Sequence, residues 1–447
     1  MRYLRLIAWV SALLLPVMLW EGWGLAASQE FAGKKITVVT LEGAQSQGVE
    51  AVVPLFEKAT GAKVEVVKYP WGSLLEKVMM DFSTGMGTFD IVVMTANQIG
   101  AYAEANFIQP IEKYVNDPAI ADRNLNLKDF SPALLDIAKW KGRLYGLPFK
   151  PDMQLLFYRK DLFESPQVQK QYQEFSGKKL SVPGTTTEFL DVARFFTKKY
   201  NPKSPTQYGT AVMAKKGNQT TFFWTPRLFA LGGSFFTKDM RPAFDNAAGV
   251  DALQYMLEVL KYSPPESSGY DFPEANAAYL NGDIAMLEQW IEFAASVEDP
   301  KKSKVVGKQG YTIPVGVMKG GKVSQGSNGS SWNSFVTTTT KEPILAYKFA
   351  EFLTMPEAEM VKLTRGVMPV RNSTLSRLQA QYPFFDALKK SWAVATFCKP
   401  DVPESEQLLD VLRTNFSSAA VGQMNAQQAI KDAAEQWRQI LHKGGYF

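Results

Sequence analysis

Cysteine and histidine are almost missing: the 447 residues hold one of each, Cys398 and His442. A lone cysteine excludes an internal disulfide, so packing has to hold the fold. A lone histidine excludes a multi-histidine metal site and leaves a Ser/His/Asp triad nowhere to form except at the C-terminal tail. There is no Walker A sequence and no Rossmann glycine fingerprint, and Ser176 and Lys179 of an S-x-x-K pattern have no KTG partner. No metal, no cofactor and no catalytic residue is expected. Long basic runs are also missing. The formal net charge of +5 is spread along the chain, with Lys301, Lys302 and Lys304 as its densest cluster, so nucleic acid is not an expected partner. No internal repeat and no low-complexity segment occurs.

What is present is length and aromatic side chains. A chain of 447 residues exceeds one hydrophobic core, which predicts two domains or lobes. Aromatic residues make up 13% of it, with 10 tryptophans, and that richness asks for a role. The first stretch, residues 1–27, has Arg2 and Arg5 ahead of an apolar run and small residues at Gly24 and Ala26. It reads as a cleavable secretory signal peptide rather than a membrane anchor, because Pro16 and Glu21 interrupt a run already too short to span a bilayer. No cysteine follows it for lipid attachment, so a periplasmic location is expected.

The mature chain opens with strand, helix, strand, helix and buried strand. Lys35–Leu41 is β-branched and apolar; Val49, Val52, Val53 and Phe56 fall at helical spacing; Gly61 stops that helix. Val64–Lys68 is a second strand, Ser73 and Glu76 predict a capping box, and Phe89–Met94 is a continuous apolar strand. This order predicts an α/β fold with a parallel sheet, whose ligand-binding loops follow the strand ends at Glu42, Tyr69 and Thr95.

Gly142–Phe163 joins two apolar runs through Pro148 and Pro151 and reads as a hinge between lobes. Lys150 and Asp152 beside it are expected to face a cleft. Beyond it Thr185 and Glu188 box in a helix, Pro273–Leu287 gives a helix, a turn and a short strand, and Tyr311–Met318 reads as a strand. A Gly/Ser-rich loop then leads to a strand over Trp332–Thr337. Trp71, Trp290 and Trp332 follow strand ends or loops, where an indole face can stack on the C–H side of a sugar ring. Trp224, next to Phe222 and Phe223, reads equally as core or site; Trp140, Trp392 and Trp437 lie in helical patterns and read as core. A carboxylate pair drawn from Glu42, Asp152, Glu288 and Glu292 leaves a glycosidase as a rival reading.

The motifs ITVVTLEG, LFEKATGAKVEVV, FDIVVM, KGRLYGLPFKPD, LLFYRKDLF, AYLNGDIAMLEQW, EDPKKSKVVGKQGY and MPVRNSTL stand in order over nearly the whole chain. In that order and spacing the sequence resembles the extracellular solute-binding proteins of ABC importers, in the maltose, trehalose and polyol class. The resemblance implies a periplasmic-binding-protein-like fold of two discontinuous α/β lobes, residues 28–148 with 313–355 and residues 149–312 with 356–447, with crossings also near Tyr311 and Met355. It implies a ligand held in the cleft by hinge closure and passed to the permease. Glu42, Trp71, Thr95, Asn97, Asp152, Trp290, Trp332 and Arg371 would meet the ligand; Lys150 would pair with Asp152 or reach the ligand, and Trp224 stays a candidate. A sugar, oligosaccharide or polyol is the expected partner, bound by a monomer. A charged solute such as glycerol phosphate or a polyamine is the alternative.

Overall fold

Strand β1 (Lys35–Leu41) pairs in parallel with β2 (Lys63–Tyr69) on one side and β3 (Ile91–Thr95) on the other. Helices α1 (Ala44–Thr60) and α2 (Trp71–Thr84) make the crossovers. Val49, Val52 and Phe56 bury the inner face of α1. Gly61 ends that helix at φ 76°, donating its amide to Glu57 O, a left-handed cap that suits glycine. Helix α2 differs from expectation. It starts at Trp71 behind Pro70, and no side chain caps it, so Ser73 and Glu76 fall inside its first turns. Proline presets the entry of the chain into the helix, which moves the start three residues upstream and puts Trp71 at the strand end of the sheet.

The computed structural model describes residues 29–379, 382 and 384–447; the expected signal peptide lies outside them. Within the described residues, Gly142–Phe163 is no irregular joint: it carries the 14-residue strand β4 (Gly146–Arg159). After helices α3 (Asn218–Ala230) and α4 (Phe272–Asn281) come β5 (Met286–Trp290), β6 (Gln309–Thr312), β7 (Ser327–Val336) and β8 (Ala395–Phe397). The sheet order is β2-β1-β3-β7-β4-β5, with β6 on β4 and β8 on β7. Strands β4 and β7 run antiparallel and are shared by both halves of the molecule. The first half of β4 pairs with β7 and its second half with β5 and β6. Both prolines sit within β4. The register slips between them, since Trp332 faces Lys150 while Asn333 faces Pro148, and the extra residue, Phe149, is a bulge of the kind that tolerates missing proline amides.

The Gly/Ser-rich stretch is ordered as well. Val317–Lys319 and Lys322–Ser324 form a hairpin, and Ser327–Ser331 open β7. Polar and small residues suit this buried strand because neighbours press against it. A Cβ on Gly326 would lie 2.2 Å from Pro226 O. Asn328 Nδ2 donates to Gln154 Oε1 (2.7 Å) and Phe222 O (2.6 Å). Hydrophobic periodicity does not register a strand built this way.

Three large cores result. One packs Ile36 to Phe149 with Trp332 to Val367; the other two hold Met153 to Val315 with Leu363 to Leu441. The chain therefore changes core inside β4, between Phe149 and Met153. It does not return at Tyr311, because Val315 packs in a second-lobe core and Gly316 exchanges backbone hydrogen bonds with Gly184 and Thr186. Beneath the bulge lies Lys362, fully buried, with Nζ donating to Phe149 O at 2.8 Å. Burial pulls its pKa down to about 8, against the charge of Glu359. The unfolded lysine holds its proton to a higher pH, so this group makes stability rise as pH climbs from about 8 toward the ordinary lysine value. Lys362→Met is expected to flatten that rise in urea melts taken across the alkaline range.

Candidate functional site

The carboxyl ends of the parallel strands open onto a cleft of about 530 Å³ between the lobes. Its floor is the bulge of β4 and β7. Lys150, 1% exposed, directs Nζ to Asp152 Oδ1 (2.5 Å) and Glu292 Oε1 (3.2 Å). Trp332 Nε1–H donates to the other oxygen of Asp152 (2.9 Å), which fixes the indole plane, and the Lys150 ammonium stands 5.8 Å from that ring. Burial opposes the charge on Lys150, but Asp152 and Glu292 outweigh it and hold the pKa above the usual lysine range. Glu292 shares one ammonium with Asp152, so for it burial wins and the carboxyl is pushed up.

The first-lobe wall comes from the ends of three strands: Glu42 after β1, Trp71 after β2 and Thr95 closing β3. Trp71 meets Trp332 edge-on, with ring centroids 6.0 Å apart. On the second-lobe wall Trp290 ends β5, donates its indole N–H to Gln219 Oε1 (3.0 Å) and stands perpendicular to Phe222. Asp271 and Phe272, at the start of α4, complete that side.

Polar contacts cross between the lobes beside the cleft. Lys399 Nζ donates to Asn97 Oδ1 (2.7 Å). Glu406, in helix α5 (Ser405–Ala420), accepts from Asn97 Nδ2 (2.5 Å), Gln98 Nε2 (3.2 Å) and both terminal nitrogens of Arg413 (3.1 Å). Burial lowers the pKa of Lys399, with Glu406 acting against it. Glu406→Ala removes the acceptor that the two lobes share. The expected result is a ligand affinity weaker by about 1.5–3 kcal/mol, read by calorimetry, since the bonds from Asn97 and Gln98 tie the two walls together and a hydrogen bond to a charged group is worth about that much. A larger radius of gyration of the ligand-free variant in small-angle scattering should accompany it.

The family model of the bacterial extracellular solute-binding proteins matches residues 42–360. The chain belongs to that family. A mannitol-binding protein of Pseudomonas aeruginosa is 25% identical over 398 residues, covering 83% of this chain and 85% of its own. A probable amino-acid ABC transporter periplasmic-binding protein of Sinorhizobium fredii is 24% identical over 427 residues, covering 93% and 91%. Among solved structures, an ABC transporter solute-binding protein of Agrobacterium radiobacter in complex with ribitol superposes with a TM-score of 0.79 at 24% identity, over 92% of this chain and 99% of that one. Maltose-bound MalE3 of T. maritima gives 0.78 at 20% identity, over 91% and 99%. The two-lobed α/β architecture is therefore that of the periplasmic binding proteins.

In this solute-binding protein the cleft gathers six of the residues singled out from the sequence: Glu42, Trp71, Thr95, Asp152, Trp290 and Trp332. Lys150 lies beneath them, spent on two carboxylates, and Asn97 turns to Lys399 and Glu406. Two others are elsewhere. Trp224 is fully buried in the second-lobe core, donating Nε1–H to Gly249 O (2.8 Å) and packed against Phe244 and Phe416. Arg371 is buried over the Phe130 ring, with Nε donating to Thr354 O (2.5 Å) and Nη1 to Asp129. Its side chain is held by backbone and core, away from the cleft lining. Glu288, weighed as a catalytic carboxylate, forms a buried bidentate pair with Arg227.

Sequence reasoning missed Gln45, Gln219, Phe222, Asp271, Phe272, Ser330 and Lys399 of the lining. A signal existed for two of them. In α3, Gln219 and Phe222 are three residues apart and share a helix face, while Trp224 and Leu228, four apart, face the core. Nothing local marks Lys399 or Ser330.

Proposed function

We propose that this protein captures a carbohydrate (a sugar, an oligosaccharide or a polyol) by closure of its two lobes and delivers it to the transmembrane subunits of an ABC importer. One observation carries the reading: Trp71, Trp290 and Trp332, from three distant stretches, line one cleft together with the carboxylates of Asp152 and Glu292. Indole faces bury the C–H side of a sugar at about 25 cal/mol per Å², and the carboxylates accept hydrogen bonds from its hydroxyls. The mannitol, ribitol and maltose bound by its relatives are compounds of this chemistry.

The lobes that close are, in this reading, residues 28–148 with 313–355 and residues 149–312 with 356–447, with the return to the first lobe shifted from residue 313 into β7 by the packing of Val315. In this reading the protein acts as a monomer and as a binder, with Asp152 and Glu292 tied to one lysine and Glu288 to an arginine. Among the described residues no cluster of metal-binding side chains occurs. Residues 1–27 direct it to the periplasm. The test is mass spectrometry of compounds released from natively purified protein, followed by calorimetry with sugars, polyols and amino acids. Heat of binding from a sugar or polyol supports the reading. Binding of amino acids alone, or release of reducing ends from oligosaccharides, overturns it.

A further inference from the structure

Two oxygens at the cleft have no partner among the described residues. Glu292 Oε2 accepts no hydrogen bond and is screened from solvent, and Ser330 Oγ is likewise unpaired in a residue only 1% exposed. Both residues line the cleft, and Ser330 stands opposite Asp152 in the ladder between β7 and β4. A buried oxygen left without a bond is costly, so its persistence marks a place where a bound molecule supplies the missing partner.

The neighbouring cations are partly engaged. Lys150 Nζ meets Asp152 and Glu292, and Lys399 Nζ meets Asn97 Oδ1 and, at 3.5 Å, Thr95 Oγ1. The two lysines balance the formal charges of Asp152 and Glu292, while Glu42 and Asp271 add two further negative charges to the lining. A ligand entering here meets a surplus of carboxylates over ammonium groups. Hydroxyl groups donate to carboxylates; a ligand's own carboxylate or phosphate is repelled by that surplus.

Resting on the carbohydrate reading above, we propose that Glu292 and Ser330 are ligand contacts and that Lys150 is a positioning residue, the three together restricting the cleft to uncharged sugars or polyols and rejecting sugar acids and sugar phosphates. Lys150 sets the restriction by holding Glu292 through one oxygen while the other is left without a partner.

The probes are D-mannitol, D-glucose and maltose, set against D-gluconate and D-glucose 6-phosphate, titrated by calorimetry into the full mature chain. At least one neutral compound is expected to bind, with both anions at least about tenfold weaker. Glu292→Gln should weaken the neutral ligand by about tenfold or more and narrow the gap to gluconate, because Lys150 then has one carboxylate fewer. Ser330→Ala should weaken it by about threefold or more at an unchanged melting temperature. Gluconate or glucose 6-phosphate binding as tightly as the neutral compounds removes this proposal and leaves the carbohydrate reading standing. So does an unchanged Kd in Glu292→Gln. Binding of no polyhydroxylated compound of either charge removes both. The wild-type titrations decide the charge question even where a variant does not fold.

Discussion

Lys150→Met is expected to lose about 3–5 kcal/mol of folding stability, because it leaves two carboxylates at the cleft floor without their cation. The loss should grow with pH. Burial already raises the Glu292 carboxyl in the intact protein, so the folded state holds that proton more tightly than the unfolded chain does. The contribution of Glu292 is therefore present below the ordinary carboxylate range and lost as pH rises through its folded value. Lys150 is the charge that opposes this rise. Without it the carboxyl titrates higher still, and urea melts at acid and neutral pH should diverge further in the variant than in the wild type. Adding Glu292→Gln to Lys150→Met should recover part of the loss, as expected for residues that share one network. Equal stability of Lys150→Met and wild type at neutral pH would show that the lysine carries no such duty.

Trp332→Ala is expected to reduce ligand affinity by about 3 kcal/mol or more, at least a hundredfold, as for a buried aromatic anchor at the centre of an interface. Three losses combine: the stacking face, the edge contact with Trp71 and the N–H that holds Asp152 in place. Trp332→Phe separates them. It keeps an apolar face but leaves Asp152 Oδ2 without its donor, so its affinity should fall between wild type and alanine. Calorimetry together with thermal unfolding checks this. An unchanged Kd with a lowered melting temperature would make Trp332 a core residue and nothing more.

Much of the first lobe was legible because its signals are local. Strand β1 spans the expected Lys35–Leu41, Gly61 caps α1, and the Thr185/Glu188 capping box closes as its sequence predicts. The failures have physical reasons. Ser73 and Glu76 match a capping box, but the proline at position 70 starts the helix earlier. Serines and glycines after Met318 match a loop, yet close neighbours turn them into a strand with side-chain hydrogen bonds. Tryptophans were the least separable. Trp224 and Trp290 both sit among aromatic residues, and one is core while the other lines the cleft.

The second-lobe wall shows why. Glu288 and Trp290 lie two residues apart on β5 and so share one face of the sheet, which α3 covers. Near the start of α3, Gln219 meets Trp290 at the cleft; two turns on, Arg227 meets Glu288 in the core. Alternation and helical period put the right residues on the right faces. Depth along the helix separates ligand wall from interior, and depth depends on what packs above.

The opening strands and helices of the first lobe and the set of aromatic side chains follow from the chain alone, since propensity, period and caps act over a few residues. The duty of Lys150 does not. Its partner Asp152 is two residues away, but its second partner Glu292 is 142 residues away, and it is that contact which draws the ammonium to a second carboxylate. Only folding sets that distance, because charges exchange partners according to separation in space and burial, not separation along the chain.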